Sequence, residues 1–134
     1  MLLLDTHALL WLLGGDNRCT AAARAAIEAP LADVRVSAAS LWEIEIKHSI
    51  GKLALTKGYD GLLEEVSANG FELLGITTSH LRELSGLQFG GRPTGGKHKD
   101  PFDRLLVAQA RWEGATLVTA ETWWKASYGV KLLW

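Results

Sequence analysis

Short apolar runs of strand length alternate along this chain with longer segments of helical spacing, and most of the helical segments close on a glycine or before a proline. Met1 to Leu4 has the length and apolarity of a strand buried on both faces. Thr6 to Leu13 then reads as a helix ended by Gly14-Gly15, and Thr20 to Glu28 as an Ala-rich helix closed before Pro30. Val34 to Val36 is a second strand, after which Ser37 caps a helix running to about Ile50 and stopped by Gly51. Tyr59 to Asn69 is helical ahead of Gly70, Phe71 to Ile76 is a strand, and Thr78 to Leu84 is a short helix capped by Thr78 or Ser79. Beyond the Gly-rich loop from Gly86 to Lys99 come a helix from Pro101 to Glu113 and a strand from Thr116 to Val118. A short helix around Thr122 to Ala126 and a strand from Val130 to Leu133 complete the chain. Parallel strands need crossover connections, so this alternation predicts a three-layer α/β/α fold with a central, mainly parallel sheet of four or five short strands.

No repeat or linker interrupts the pattern, and 134 residues suffice for one core that buries about two thirds of the unfolded surface. One domain spanning residues 1–134 is expected. With 48% hydrophobic and 22% charged residues the composition is that of a globular chain, not a disordered one. No apolar run approaches the roughly 18 residues of a membrane span. The run Ala8 to Leu13 lacks a preceding basic segment, and Asp5 and His7 interrupt the apolar stretch, which opposes a signal peptide and predicts a cytoplasmic protein without a membrane partner. The lone Cys19 excludes an internal disulfide and a cysteine-based zinc site, and reads as a small semi-buried residue.

Four acids sit where predicted strands end or on early helical turns: Asp5, Glu43, Asp103 and Glu121. In an open parallel sheet the ligand crevice lies beyond the carboxyl ends of the strands, and these acids converge there if the fold is as predicted. Like charges about 4 Å apart repel by about 4 kcal/mol per pair at an effective dielectric near 20, so such a cluster requires a compensating cation. A hard divalent ion with oxygen ligands fits; the four histidines, His7, His48, His80 and His98, show no zinc-ligand spacing. The net charge of −1 conceals two basic clusters: Lys47, His48, Lys52 and Lys57, and then Arg92, Lys97, His98, Lys99 and Arg104. The second leads directly into the acidic segment at Asp100 and Asp103, which makes its five members candidate phosphate contacts.

The segments Asp5-Thr6-His7, Ser40-Leu41-Trp42-Glu43-Ile44, His98-Lys99-Asp100-Pro101-Phe102-Asp103-Arg104-Leu105-Leu106-Val107-Ala108-Gln109-Ala110 and Leu117-Val118-Thr119-Ala120-Glu121 occur in this order. Together they resemble the PIN-domain ribonucleases, in particular VapC-like toxins of prokaryotic toxin–antitoxin pairs. The resemblance spans the chain and implies a PIN-like fold and an acidic quartet at Asp5, Glu43, Asp103 and Glu121 holding Mg²⁺ or Mn²⁺ for hydrolysis of RNA. It also implies a cognate antitoxin and a homodimer. The fourth position departs from the usual Asp of the family, so the longer Glu121 is expected either to ligate through water or to stand slightly outside. Thr119 matches the small hydroxyl residue that accompanies that acid, and Thr6 reads either as a helper of Asp5 or as a helix cap.

Metal-assisted hydrolysis needs no histidine or cysteine nucleophile, because the ion activates the water and stabilises the charge. Pro101 belongs at the first helical position, which makes Asp100 the N-cap and Asp103 the third helical residue. Gly91-Arg92-Pro93-Thr94-Gly95-Gly96-Lys97-His98 has the spacing of a phosphate-binding P-loop, but His98 replaces the metal-holding hydroxyl and Pro101 delays the helix. It is read as a basic loop beside the site. Of the six tryptophans, Trp42 and Trp112 are assigned to the core or an interface, and Trp123-Trp124 is the pair considered for base stacking. Leu9 to Leu13 is apolar around more than one helix face, which supports dimerisation. A catalytically inactive PIN-like interaction subunit and a structure-specific DNA nuclease are the alternative functions.

Overall fold

The computed structural model describes residues 1–134 and contains five strands and seven helices. In chain order they are β1 (Leu2–Leu4), α1 (Thr6–Leu13), α2 (Ala21–Ile27), β2 (Val34–Ser37), α3 (Ala38–Ser49), α4 (Gly58–Ala68), β3 (Glu72–Leu74), α5 (Thr78–Gly86), α6 (Pro101–Glu113), β4 (Thr116–Val118), α7 (Trp124–Tyr128) and β5 (Lys131–Leu133). The strands form one sheet in the order β3-β2-β1-β4-β5, and every pairing is parallel. β1 is therefore central, with Leu4 opposite Val36 on one side and Val118 on the other. The chain winds outward from β1 through β2 to β3, then returns to β4 on the opposite side. That reversal is the topological switch point at which α/β sheets open a crevice.

Both faces of the sheet are buried, and the side-chain alternation of the strands divides the core in two. Leu4, Val36 and Val118 point into a cluster with α1 to α4, including Leu9, Ile27, Ile44, Leu62 and Val66. Leu3 and Leu117 point into the other, with Leu106, Val107, Trp124 and Val130. Leu3, Leu4 and Leu117 have no solvent exposure, so truncating one to Ala costs about 2–5 kcal/mol.

Element boundaries differ from the sequence expectation mainly at the last helix, which starts at Trp124 and runs to Tyr128 instead of covering Thr122 to Ala126. Gly129, with φ +66°, ends it in the left-handed region. Trp42 and Trp112 are not core residues: they are 57% and 52% exposed, because each lies on the outer face of its helix. Trp124 is the fully buried tryptophan. Cys19 is buried, as its small apolar character suggested.

Candidate active site

Asp5 follows β1 directly and is the N-cap of α1. Its backbone N–H continues the sheet ladder to Val118 (3.1 Å), while its Oδ1 accepts the N–H of Ala8 (2.6 Å). The cap of this helix is thus Asp5 and not Thr6, which is the first helical residue and whose buried hydroxyl has no hydrogen-bond partner. The second oxygen of Asp5 accepts the hydroxyl of Thr119, the residue just past β4. Thr119 is fully buried and also accepts the N–H of Glu121 (3.0 Å). One hydroxyl therefore ties together the ends of the two strands that flank the switch point.

Glu43 is brought in by α3, which begins at Ala38 with no loop after β2. Ser37 caps this helix by accepting the N–H of Ala39, and it donates its hydroxyl to Gln109 on α6 (2.5 Å). Gln109 in turn donates to the carbonyl of Gly75 after β3 (3.2 Å). This buried chain of hydrogen bonds fixes the start of α3 against the middle of α6, and with it the separation of Glu43 from Asp103. Glu43 is 6% exposed and pairs with Lys47 at 3.4 Å. Ser40, one turn earlier on the same face, has a buried hydroxyl without a partner.

Asp100 is the N-cap of α6, with its Oδ1 accepting the N–H of Asp103 (2.9 Å) and Pro101 in the first turn. Asp103 is half-buried, and its Oδ2 lies 2.9 Å from His98 Nε2. Its carboxyl is raised from the ordinary 3.8 to about 8, first by burial and then by the charges of Asp100, Glu43, Asp5 and Glu121. Burial also raises Asp5, against the hydrogen bonds from Thr119 and Ala8. Burial lowers His98. The four predicted acids therefore share one field, with Asp103 at its centre. Glu121 is the exposed member, and its Oε2 accepts the indole N–H of Trp123.

No three His, Cys, Asp or Glu side chains stand in a metal-ligating arrangement. The chemistry of the four acids suits a hard cation, since all four offer oxygen donors. Asp103 Oδ1 makes no hydrogen bond, and unpartnered buried hydroxyls accompany Asp5 and Glu43 at Thr6 and Ser40.

The basic cluster is split. Arg92, Lys97 and Lys99 are exposed, whereas His98 and Arg104 are buried. Arg104 donates to the carbonyls of Leu87 (2.9 Å) and Gln88 (3.2 Å) and lies 4.1 Å over the ring of Phe89, so it holds the loop rather than facing solvent. His98 is likewise engaged within the protein. Gly91 and Lys97 pair across a tight hairpin with positive φ at Gly95 and Gly96, and a helix follows only at Pro101, which removes the P-loop geometry. Sequence reasoning missed Tyr128, whose hydroxyl meets His98 Nδ1 (2.7 Å), because nothing local in a residue 30 positions away signals that contact.

Acids at the carboxyl ends of the central strands of an all-parallel sheet give this α/β protein an acidic edge at its switch point. The chain belongs to the PIN domain family, whose model matches residues 2–126, and PIN domains are generally nucleases. It is similar in fold to VapBC2 from Rickettsia felis, solved bound to a DNA fragment from its promoter, with a TM-score of 0.70 at 15% identity over 98% of this chain and 96% of that one. It is also similar to FitAcB from Neisseria gonorrhoeae, with a TM-score of 0.66 at 20% identity over 99% and 96%. A toxin–antitoxin complex from Klebsiella pneumoniae gives a TM-score of 0.57 at 19% identity over 91% and 88%. Among curated protein sequences none matches. No helix is long and apolar enough to cross a membrane.

Proposed function

We propose that this protein is a Mg²⁺- or Mn²⁺-dependent endoribonuclease and the toxin of a toxin–antitoxin pair. The observation that carries the reading is that Asp103, whose carboxyl burial raises first, also feels the charges of Glu43, Asp5 and Glu121, which come from separate elements of the fold. These four side chains would hold the cation. When bound, it lowers the pKa of a water molecule and offsets the charge of the scissile phosphate.

The chain's own residues prepare for this. Thr119 and the α1 N-terminus hold both oxygens of Asp5, so that carboxylate reaches the crevice in one orientation. Lys47 restrains Glu43 from the outer side. Asp103 retains a proton near neutrality until a cation arrives, since its neighbours disfavour a further negative charge. The exposed Arg92, Lys97 and Lys99 are suited to the phosphate backbone of RNA. Structural relatives that are toxin–antitoxin assemblies support a cognate antitoxin. An Arg or Lys of that partner would enter the acidic crevice in place of the cation.

Purified protein incubated with RNA or DNA, with Mg²⁺, Mn²⁺ or EDTA, tests the reading. Cation-dependent cleavage of RNA that vanishes in Asp5→Asn is expected. Cleavage of DNA alone would favour a DNA nuclease, and inertness toward both would favour an interaction subunit. Light scattering at 14.6 kDa even at high concentration would exclude the homodimer inferred from the apolar α1.

A further inference from the structure

His98 is buried beside the acidic cluster, and the proposed cleavage assigns it no task. Its ring is 2% exposed and enclosed by aromatic side chains, with centroids 4.9 Å from Trp123, 5.7 Å from Trp124 and 5.8 Å from Tyr128. Both ring nitrogens are engaged: Nδ1 lies 2.7 Å from the Tyr128 hydroxyl and Nε2 lies 2.9 Å from Asp103 Oδ2.

Counting protons along this chain settles which nitrogen carries the hydrogen. The Tyr128 oxygen accepts the N–H of Gly90 (3.2 Å) and has no partner other than Gly90 and His98. Its own hydrogen therefore goes to His98 Nδ1, since the opposite tautomer would leave a buried hydroxyl proton without an acceptor. A neutral imidazole with an accepting Nδ1 carries its hydrogen on Nε2, where it donates to Asp103 Oδ2, so the proton that Asp103 keeps near neutrality in metal-free protein sits on Oδ1. Gly90 holds the arrangement from two sides, because its carbonyl also accepts the backbone N–H of His98 (2.8 Å). A Cβ on Gly90 would stand 2.7 Å from Tyr128 Cζ and 2.9 Å from Ser127 Cβ, so this approach requires glycine.

We propose that His98 is a positioning residue for the acidic site: its Nε2–H fixes Asp103 Oδ2, and the Tyr128 hydroxyl fixes the tautomer that keeps the hydrogen there. The proposal rests on the nuclease reading of the acids. It leaves Asp103 Oδ1, which makes no hydrogen bond, as the oxygen presented to the cation. Groups that orient a ligating carboxylate in this way change metal affinity by about 10–100-fold when removed.

Tyr128→Phe removes only the hydroxyl and keeps the aromatic enclosure. Nitrogen-15 NMR of the imidazole in metal-free protein should show His98 protonated at Nε2 in the wild type, and a mixture of tautomers in Tyr128→Phe. Mn²⁺ titration calorimetry should show affinity about 10-fold weaker in Tyr128→Phe. His98→Gln, whose amide reaches the position of Nε2, should retain most of the affinity that the shorter His98→Asn loses, with circular dichroism confirming that the variants fold. An Nδ1–H tautomer in the wild type would overturn the proposal, as would Mn²⁺ affinity unchanged in both Tyr128→Phe and His98→Asn. If wild type binds Mn²⁺ and Asp5→Asn does not, the cation site on which the nuclease reading rests stands whatever the His98 variants do. A wild type that binds no Mn²⁺ would overturn both.

Discussion

The charge of Asp5 acts on Asp103, yet the fold treats the two acids in opposite ways. Asp5, at the end of the central strand, is 3% exposed and has both oxygens engaged, by the Ala8 N–H and the Thr119 hydroxyl. Asp103, in the first turn of α6, is the less buried of the two but has one oxygen free and the charges of four carboxylates around it. Burial is the largest influence on both and raises both. In Asp5 two hydrogen bonds oppose it; at Asp103 every major influence pushes upward, and its carboxyl reaches about 8. Donor supply, more than depth, decides where this site stores its proton. Under the proposed nuclease reading, Asp5 is the fixed acid of the site and Asp103 is the one whose charge a bound cation would stabilise.

Removing either charge should give the largest effect. Asp5→Asn and Asp103→Asn should each lower Mg²⁺-dependent RNA cleavage by at least about 10²-fold, the scale for losing one group that stabilises developing charge. Asp5→Asn should fold because Asn serves as the N-cap of α1 as well as Asp does, and Asp103→Asn because it removes a carboxyl that burial and neighbouring charges disfavour in its ionised form. Single-turnover cleavage with melting curves of the same samples measures both quantities. Full activity in Asp103→Asn would leave the comparison without its functional half.

The difference between the two acids should also be visible without metal, as a pH dependence of stability. A carboxyl raised from 3.8 to about 8 binds more protons in the folded than in the unfolded chain throughout that window. Stability therefore falls as pH rises from about 4 toward 8, and levels off above it. After allowance for solvent around a half-buried group, we expect a loss of ~2 kcal/mol, or about 8 °C in Tm, in EDTA. Asp103→Asn should flatten this slope, and saturating Mg²⁺ should reverse it in the wild type. An equal slope in wild type and Asp103→Asn would place the raised carboxyl elsewhere.

Thr119→Val tests the other side of the comparison. The substitution keeps shape but strands the Asp5 oxygen and the Glu121 N–H, both of which Thr119 serves. A cost of ~1.5 kcal/mol is expected, with the midpoint of urea denaturation as its measure. Because Asp5 loses a donor that favours its charged form, its carboxyl should rise further, and the variant should then show some of the pH sensitivity that Asp103 confers on the wild type.

Much of this organisation is legible in the residues themselves. The five strands follow from apolar runs, and the Asp100-Pro101 start of α6 follows from local capping chemistry, which acts over three or four residues. Asp5 as a cap was equally local, but Thr6 offered a competing hydroxyl one position later. What could not be read is contact across distance. Ser37 with Gln109 and His98 with Tyr128 join residues 72 and 30 positions apart, and neither partner carries a local mark of the other. The same applies to burial within a tryptophan pair: Trp124, the first residue of α7, is fully buried, while Trp123, its N-cap, remains partly exposed.

The smallest expected effect falls on the acid nearest Asp103 in sequence. Asp100 contributes more than any other charge to the rise at Asp103, so charge alone would make Asp100→Asn a stabilising change in metal-free protein. Its Oδ1, however, accepts the Asp103 N–H as the cap of α6, and an Asn side chain oxygen accepts it equally well. The cap is preserved, while a negative charge favourable to the helix N-terminus is lost, worth about 0.3–1 kcal/mol. These two contributions oppose each other, and Tm in EDTA at neutral pH should move by no more than about 2 °C. Cleavage should remain substantial, since the oxygen that contacts the backbone is not one presented to the cation. The informative quantity is the Asp103 carboxyl, followed by carbon-13 NMR of the side chain through a pH titration: with Asp100 neutralised its midpoint should drop below about 8. An unchanged midpoint, or cleavage lost in Asp100→Asn but kept in Asp103→Asn, would exchange the roles of cap and ligand between these two residues.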